Sequence, residues 1–190
     1  TFLFGAMFGF ISASQQIFVE LYGLGPWFPV AFAIMAGTIA VAQFINSRVV
    51  RRFGMRRLAH TANLAYVGGA VILLVFALMG PVPFPVFFGL LMVIQFFFGW
   101  AASNMNSLSM EPLGAVAGTA ASVFGFTQTV GGALIGTYIG QHYDGTLVPN
   151  ALGYALMGAL VLVCVLIAEK GKLFGVGAQY ARTASADPGH

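Results

Sequence analysis

The stretch of sequence that decides the fold is Arg48-Val49-Val50-Arg51-Arg52-Phe53-Gly54-Met55-Arg56-Arg57. It carries five of the eight Lys and Arg residues, and long uncharged runs flank it on both sides. In a soluble protein such a cluster indicates a nucleic-acid surface. Between apolar segments it indicates a cytoplasmic loop, because short loops rich in Lys and Arg stay on the cytoplasmic side of a membrane. The residues expected to set the topology are Arg48, Arg51, Arg52, Gly54, Arg56 and Arg57.

The composition excludes an ordinary soluble domain. The chain has 190 residues, of which 59% are hydrophobic and only 7% are charged, whereas soluble domains carry roughly 25% charged residues. We therefore expect a lipid bilayer to cover most of the surface. The net charge of +3 follows from the cytoplasmic basic residues, and no nucleic-acid partner is expected.

The chain is long enough for six membrane-spanning helices, each of which needs about 20 mostly apolar residues. Residues 80–85, with sequence Gly-Pro-Val-Pro-Phe-Pro, divide the uncharged run after the basic loop, because Pro and Gly break helices. The predicted fold is an all-α membrane bundle over residues 1–170, followed by a polar cytoplasmic tail over 171–190. The predicted spans are residues 1–22, 26–47, 58–79, 84–108, 115–140 and 151–168.

Alternation of these spans puts all eight basic residues on the cytoplasmic side, together with the C-terminus. This agreement supports the count of six, since an odd error would scatter the charges over both sides. The chain opens on the apolar run Thr1-Phe2-Leu3-Phe4-Gly5, without an initiator Met. We therefore expect the sequence to be the C-terminal portion of a longer protein.

Small residues form a continuous stripe along the fifth span at helical spacing. Such a stripe lets another helix backbone approach closely. Two interpretations are open, namely ordinary packing within the bundle and a moving surface between two halves of a transporter. The stripe consists of Gly118, Ser122, Gly125, Thr129, Gly132, Gly136 and Gly140.

Polar side chains on three of the spans are candidates for lining a substrate cavity. A carboxylate or amide at membrane depth needs a partner or water, and intramembrane carboxylates indicate function. Each amide alone is typical of contacts between helices, whereas several of them on different helices favour a wet cavity. The third and sixth spans, with few polar groups, are expected to be peripheral and to face lipid. The cavity candidates are Gln15, Gln16, Glu20, Gln95, Asn106 and Gln128.

Catalytic chemistry is not expected. His60 and His142 lie at the predicted membrane interfaces and His190 is terminal, so no histidine lies at mid-membrane depth. The sequence has no metal-ligand cluster and no phosphate-binding loop. We therefore expect neither an enzyme nor a metal site nor a cofactor.

Several of these stretches resemble one family. Residues 46–57 resemble the cytoplasmic loop between the eighth and ninth helices of major facilitator superfamily transporters. Residues 105–112, Met-Asn-Ser-Leu-Ser-Met-Glu-Pro, followed by 117–122, Ala-Gly-Thr-Ala-Ala-Ser, resemble the next cytoplasmic junction of the bacterial Bcr/CflA multidrug efflux branch. Residues 131–136 and 140–146 also fit that branch. Arg51 stands where the general loop pattern has an acidic residue, so an acid–base switch within the loop is not expected.

The resemblance implies a fold of two six-helix halves, with this chain as the second half, helices seven to twelve. Its first and fourth spans would line the cavity, and its second and fifth would meet the missing N-terminal half through Gly118, Ser122, Gly125, Gly132, Gly136 and Gly140. The implied function is proton-coupled efflux of small amphiphilic molecules by alternating access, in a bacterial inner membrane. A metabolite transporter of the same superfamily is one alternative. A stand-alone six-helix protein with a structural or channel role is another.

Overall fold

The structure is a computed structural model that describes residues 1–171 together with 173 and 174. The described residues form helices joined by short turns and contain no strand, which confirms the predicted all-α class. Most of the predicted cytoplasmic tail over 171–190 lies outside the described residues. The six long helices are α1 (Phe2–Gln15), α2 (Phe28–Phe53), α3 (Met55–Met79), α4 (Phe84–Met110), α5 (Ala117–Gln141) and α6 (Val148–Ala168).

Five helical segments are long and apolar enough to cross a membrane. They contain α1, which continues as a π turn to Leu21, and α2, α3, α4 and α6. The helix α5 has 25 residues, which is also long enough to span. Its sequence includes many Gly, Thr, Ser and Gln residues, which lower its hydropathy without shortening it. The chain is therefore a multi-pass membrane protein.

The basic stretch is helical rather than an open loop. The helix α2 continues to Phe53 and α3 begins at Met55, so Gly54, with φ of +81°, is the break between them. Arg is a good helix former. Arg51 and Arg52 lie in the last turn of α2, where a positive charge interacts favourably with the helix dipole. Because α2 has 26 residues, its basic end projects beyond the roughly 20 residues that a bilayer needs.

The opposite end of the bundle closes through sharper turns. Gly80 has φ of +137°, a conformation in which a side chain would be strained, and it ends α3. The prolines that follow prevent the helix from resuming before Phe84. The Tyr22 hydroxyl, just beyond α1, donates a hydrogen bond of 2.9 Å to the carbonyl of Val82 and ties the two turns at this end together.

The helices pack as two arms whose largest mutual contact is between α3 and α6. In the first arm α1 packs extensively on α5 and also on α6, and in the second arm α4 packs on α3 and on α2. The two arms meet where α3 packs on α6. Aromatic and aliphatic side chains from α1, α3, α4 and α6 fill the centre, among them Phe10, Tyr66, Phe87, Leu91 and Tyr154.

The two helices at the ends of this arrangement, α2 and α5, leave broad apolar faces uncovered. Phe44 on α2 is 61% exposed, and Phe126 and Leu134 on α5 are 68% and 69% exposed. Such faces are stable only against lipid or against further helices.

Candidate functional site

A cavity of about 560 Å³ opens at the end of the bundle that carries the basic stretch. It lies among the first turn of α1, the start of α3, the C-terminal parts of α4 and α6, and the N-terminal half of α5. Of the predicted cavity residues, it brings together Asn106 from α4 and Gln128 from α5. Its other polar and ionisable lining groups are Thr1, Arg56, His60, Ser109, Cys164 and Glu169.

The predicted polar residues of the first span lie at the other end of the bundle. Gln15 and Glu20 are exposed, whereas Gln16 is half-buried and its Oε1 accepts no hydrogen bond within the described part of the chain. The helix changes from α to π geometry over Gln16–Leu21. Short π segments within helices are frequent at functional sites because they change the direction of side chains.

Two tyrosines and a carboxyl accompany these residues at the end of the bundle opposite the basic stretch. The Tyr143 hydroxyl lies 3.4 Å from the carbonyl of Gln16. Burial, followed by the nearby charges of Glu20 and Asp144, raises the pKa of Tyr143. Burial alone raises the pKa of Tyr22 to about 12. The Thr146 hydroxyl donates a 2.6 Å hydrogen bond to Asp144 Oδ1, which lowers the pKa of that carboxyl.

The polar residues of α4 differ from the prediction in their exposure. Gln95 is only 2% exposed and lies inside the bundle, away from the cavity at the basic end.

Asn104, which was not a cavity candidate, is buried and pairs with another helix. Its Nδ2 donates 2.8 Å hydrogen bonds to Asn46 Oδ1 on α2 and to the carbonyl of Trp100. The indole of Trp100 donates a 2.6 Å bond to the carbonyl of Ala42, so two hydrogen bonds join α2 and α4.

The small-residue stripe of α5 divides into two parts. Gly132, Gly136 and Gly140 are buried against α1. A Cβ added at Gly136 would lie 2.7 Å from the backbone nitrogen of Gly9, which shows how closely the two backbones approach. These three glycines therefore pack against α1 of the same bundle. The other part, with Gly118, Ser122 and Gly125, is exposed, and a Cβ at either glycine would meet nothing within 4 Å.

A charged cluster that the sequence analysis did not predict joins α3 to the end of α6. Arg56 Nε lies 3.3 Å and His60 Nε2 lies 3.7 Å from the same oxygen, Oε1 of Glu169. The Nδ1 of His60 accepts a 3.3 Å hydrogen bond from the backbone N–H of Phe174. A neutral His60 that carries its proton on Nε2 satisfies both contacts.

Further buried polar side chains lie on α3 and α6, beyond this charged cluster. These two helices were expected to be peripheral. Asn63 and Tyr66 on α3 and Asn150 and Tyr154 on α6 are all less than 5% exposed. The spacing of Arg56, His60, Asn63 and Tyr66 puts them on one face of α3. That spacing was the signal in the sequence for a buried polar face on α3, but the apolar residues between these side chains obscured it.

The described residues contain no group of His, Cys, Asp and Glu side chains that could hold a metal ion. The site therefore offers amides, hydroxyls, one ion-paired cluster and aromatic walls. Such groups can bind a small molecule by shape, hydrogen bonds and stacking.

Two curated proteins are similar to this chain. One is a bicyclomycin resistance protein homolog of Haemophilus influenzae, which is 28% identical over 87% of this chain and 41% of its own length. The other is an MFS-type transporter of Bacillus subtilis, which is 25% identical over 87% of this chain and 39% of its own length. This chain thus spans about two-fifths of the length of the relatives it matches. No protein-family model matches the chain, and no solved structure matches it significantly.

The relatives and the fold agree on the class of protein. Both relatives are named for resistance or transport, and transporters are not enzymes. An all-helical bundle with several membrane-crossing helices is the fold that such a transporter requires. The chain is therefore similar to transporters of the major facilitator superfamily, on a branch like that of the bicyclomycin resistance proteins.

Proposed function

We propose that this chain forms one six-helix half, helices seven to twelve, of a secondary transporter that exports small amphiphilic molecules in exchange for protons. The observation that carries the proposal is the similarity to a bicyclomycin resistance homolog over 87% of this chain but 41% of that protein. A match of this extent suits one half of a two-half transporter. We place the protein in a bacterial inner membrane, with the basic stretch and the C-terminus in the cytoplasm.

The exposed faces support a missing partner half. The uncovered surfaces of α2 and α5 carry exposed apolar side chains, as surfaces that pack against other helices do. In this proposal the exposed part of the α5 stripe, Gly118, Ser122 and Gly125, meets the other half. The buried part of that stripe keeps α5 attached to α1. Rocking of one half against the other would then open the cavity to each side in turn.

The polar groups suggest how the substrate is bound. Asn106 and Gln128 face the same cavity at the basic end, and we propose that they hydrogen-bond the substrate when the transporter is open to the cytoplasm. Gln15, Gln16 and Glu20 lie at the outer end of α1 and would bind it when the transporter is open outward. Gln95, which is buried, would take part only if α4 rotates.

The test uses the full-length protein that the gene encodes, in inside-out membrane vesicles. The substrate is a fluorescent lipophilic cation, and a pH gradient is imposed. Replacing both cavity amides, Asn106→Ala with Gln128→Ala, should raise the KM for the cation, because two hydrogen-bonding groups are lost from its binding site. Thr127→Ala, at an exposed position of α5 outside the cavity lining, is the control. An unchanged KM in the double variant would remove both amides from the substrate site. If the unmodified protein transports no amphiphile in response to the pH gradient, the proposed function is overturned.

Glu20 is tested in the same assay. Glu20→Gln removes the only carboxylate of the first span, residues 1–22, and loss of pH-driven transport with retained binding of the cation would give this residue the coupling role. Glu111→Gln, which removes an exposed carboxylate beyond the end of α4, should leave transport unchanged. We expect Glu20→Gln to reduce transport, and equal rates in the two variants would exclude Glu20 from coupling.

A further inference from the structure

Buried polar atoms without a protein partner gather where α3 packs on α6. Both amide atoms of Asn63 and the hydroxyls of Tyr66 and Tyr154 form no hydrogen bond with any described residue. The three side chains are each 1% exposed. They belong to α3 and α6, which pack on each other, so a partner half packed on the uncovered faces of α2 and α5 would not cover them directly.

The three groups are close together. Asn63 and Tyr66 are three residues apart on α3, which places them on one face. The ring of Tyr154 on α6 meets the ring of Tyr66 edge to face, with centroids 6.4 Å apart and planes at 87°. Gly158 lies one turn further along α6, and a Cβ there would be 2.9 Å from the Tyr66 ring. The absence of a side chain at Gly158 lets the tyrosine ring lie against the α6 backbone.

Leaving these atoms unpaired would be costly at this depth. A polar group without a hydrogen bond in an apolar medium costs several kcal/mol by transfer measurements, and lipid offers no replacement partner. The two tyrosine hydroxyls have no bond to each other. A water molecule with two to four polar neighbours is the usual solution for such groups. An amide and two hydroxyls provide that number of neighbours.

The cavity at the basic end comes close to this place. His60 lies three residues before Asn63 on the same face of α3, and Val161 lies one turn beyond Gly158 on α6. Both His60 and Val161 line the cavity at the basic end of the bundle. The cavity therefore reaches to within about one helical turn, roughly 5 Å, of Asn63.

We propose that Asn63, Tyr66 and Tyr154 form a hydration site that holds ordered water between α3 and α6, inside the bundle and apart from the substrate cavity. The bound water links the two arms of the fold, because Asn63 and Tyr66 belong to one arm and Tyr154 to the other. The site is a specific polar contact where the two arms pack helix against helix, α3 on α6. It does not depend on what the transporter carries.

X-ray hydroxyl-radical footprinting tests this on the encoded protein in lipid nanodiscs, with its own bound water as the probe. Radicals formed from ordered water modify the nearest side chains even where bulk solvent does not reach. We expect Tyr66 and Tyr154 to be modified clearly faster than Phe87 and Phe18, which are 0% exposed and lie among apolar side chains. Modification of the two tyrosines at the rate of the two phenylalanines would overturn the proposal.

A double-mutant cycle gives an independent measurement. Tyr66→Phe and Tyr154→Phe keep the packed rings and remove only the hydroxyls. If the hydroxyls share water, each single change lowers the unfolding midpoint and the double change lowers it by less than the sum. If the site is dry, both changes leave the midpoint unchanged or raise it, because an unpaired polar atom has been removed, and the proposal fails. Tyr138→Phe, at an exposed position on α5, is the control.

Discussion

The contact between α1 and α5 and the contact between α2 and α4 occupy equivalent places in the two arms of the bundle, yet they are built differently. In the first, Gly136 lets the backbone of α5 approach Phe8 and Gly9 on α1. In the second, Gly99 receives Ala42, and hydrogen bonds from Trp100 and Asn104 reach across to α2. The contact between α1 and α5 is also the more extensive of the two.

The difference shows two ways of holding helices together in lipid. Apolar side chains alone give little association there, because lipid tails are as apolar as the side chains they would replace. Close backbone packing through glycine gives dispersion contact over many atoms. Interhelical hydrogen bonds are local, and they specify which residues face each other. The α1–α5 contact uses the first device and the α2–α4 contact uses the second.

The largest effect is expected from filling the glycine contact. Gly136→Leu puts a side chain where a Cβ already comes within 2.7 Å of the α1 backbone, so the helices must separate. We expect a loss of about 3 kcal/mol in the free energy of unfolding, measured by denaturant titration of the encoded protein in bicelles. Gly68→Leu, on the outward face of α3 with nothing within 4 Å, is the matched control and should change little. Similar losses at both positions would show that the close approach is unimportant.

A smaller effect is expected from the hydrogen-bonded contact. Asn104→Leu leaves the buried Asn46 without its 2.8 Å partner, which should cost about 1–2 kcal/mol of unfolding free energy. The double variant with Asn46→Leu should recover part of that loss, with a coupling of roughly 0.6–1.7 kcal/mol, the range found for membrane helices. Additive losses would mean that the two amides do not act as a pair. Asn106→Leu, at an exposed position on the same helix, is the control for the loss of an amide.

The smallest effect is expected at the junction of the two arms. Glu169→Gln removes the carboxylate charge that Arg56 and His60 share. Because Arg56 is partly exposed and solvent screens the pair, we expect a loss of no more than about 1 kcal/mol. The loss should shrink as salt concentration rises, since ions screen exposed charges. Glu111→Gln is the control, because Glu111 forms no ion pair with any described residue. A loss that is insensitive to salt would contradict an ionic contact.

The predictions from sequence succeeded where one-dimensional pattern carries the information. Long apolar runs predicted an all-helical membrane bundle, and the basic stretch, with the junction after α4, predicted the superfamily. The helical spacing of small residues on α5 also predicted close backbone approach. That spacing left the partner of the stripe open, and the structure shows that Gly132, Gly136 and Gly140 face α1.

The candidate site was predicted less well, because a helical face does not show which side meets protein. Asn106 and Gln128 do share a cavity, whereas Gln95 on the same face of α4 is buried. Few polar residues in the third and sixth spans suggested peripheral helices. The few that occur, Asn63, Tyr66 and Tyr154, are among the most buried polar side chains of the bundle.

The sequence by itself determined that this protein is embedded in lipid, that it is helical and that the basic residues of its described part share one end. These properties follow from summed hydropathy, helix length and charge, which do not depend on how the helices are arranged. Only the tertiary structure decided that α1 covers half of the α5 stripe, that Asn104 pairs with Asn46, and that polar groups of α3 and α6 meet in the core. Those facts depend on contacts between residues far apart in the chain, and in lipid such contacts are selected by packing and hydrogen bonding rather than by hydrophobicity.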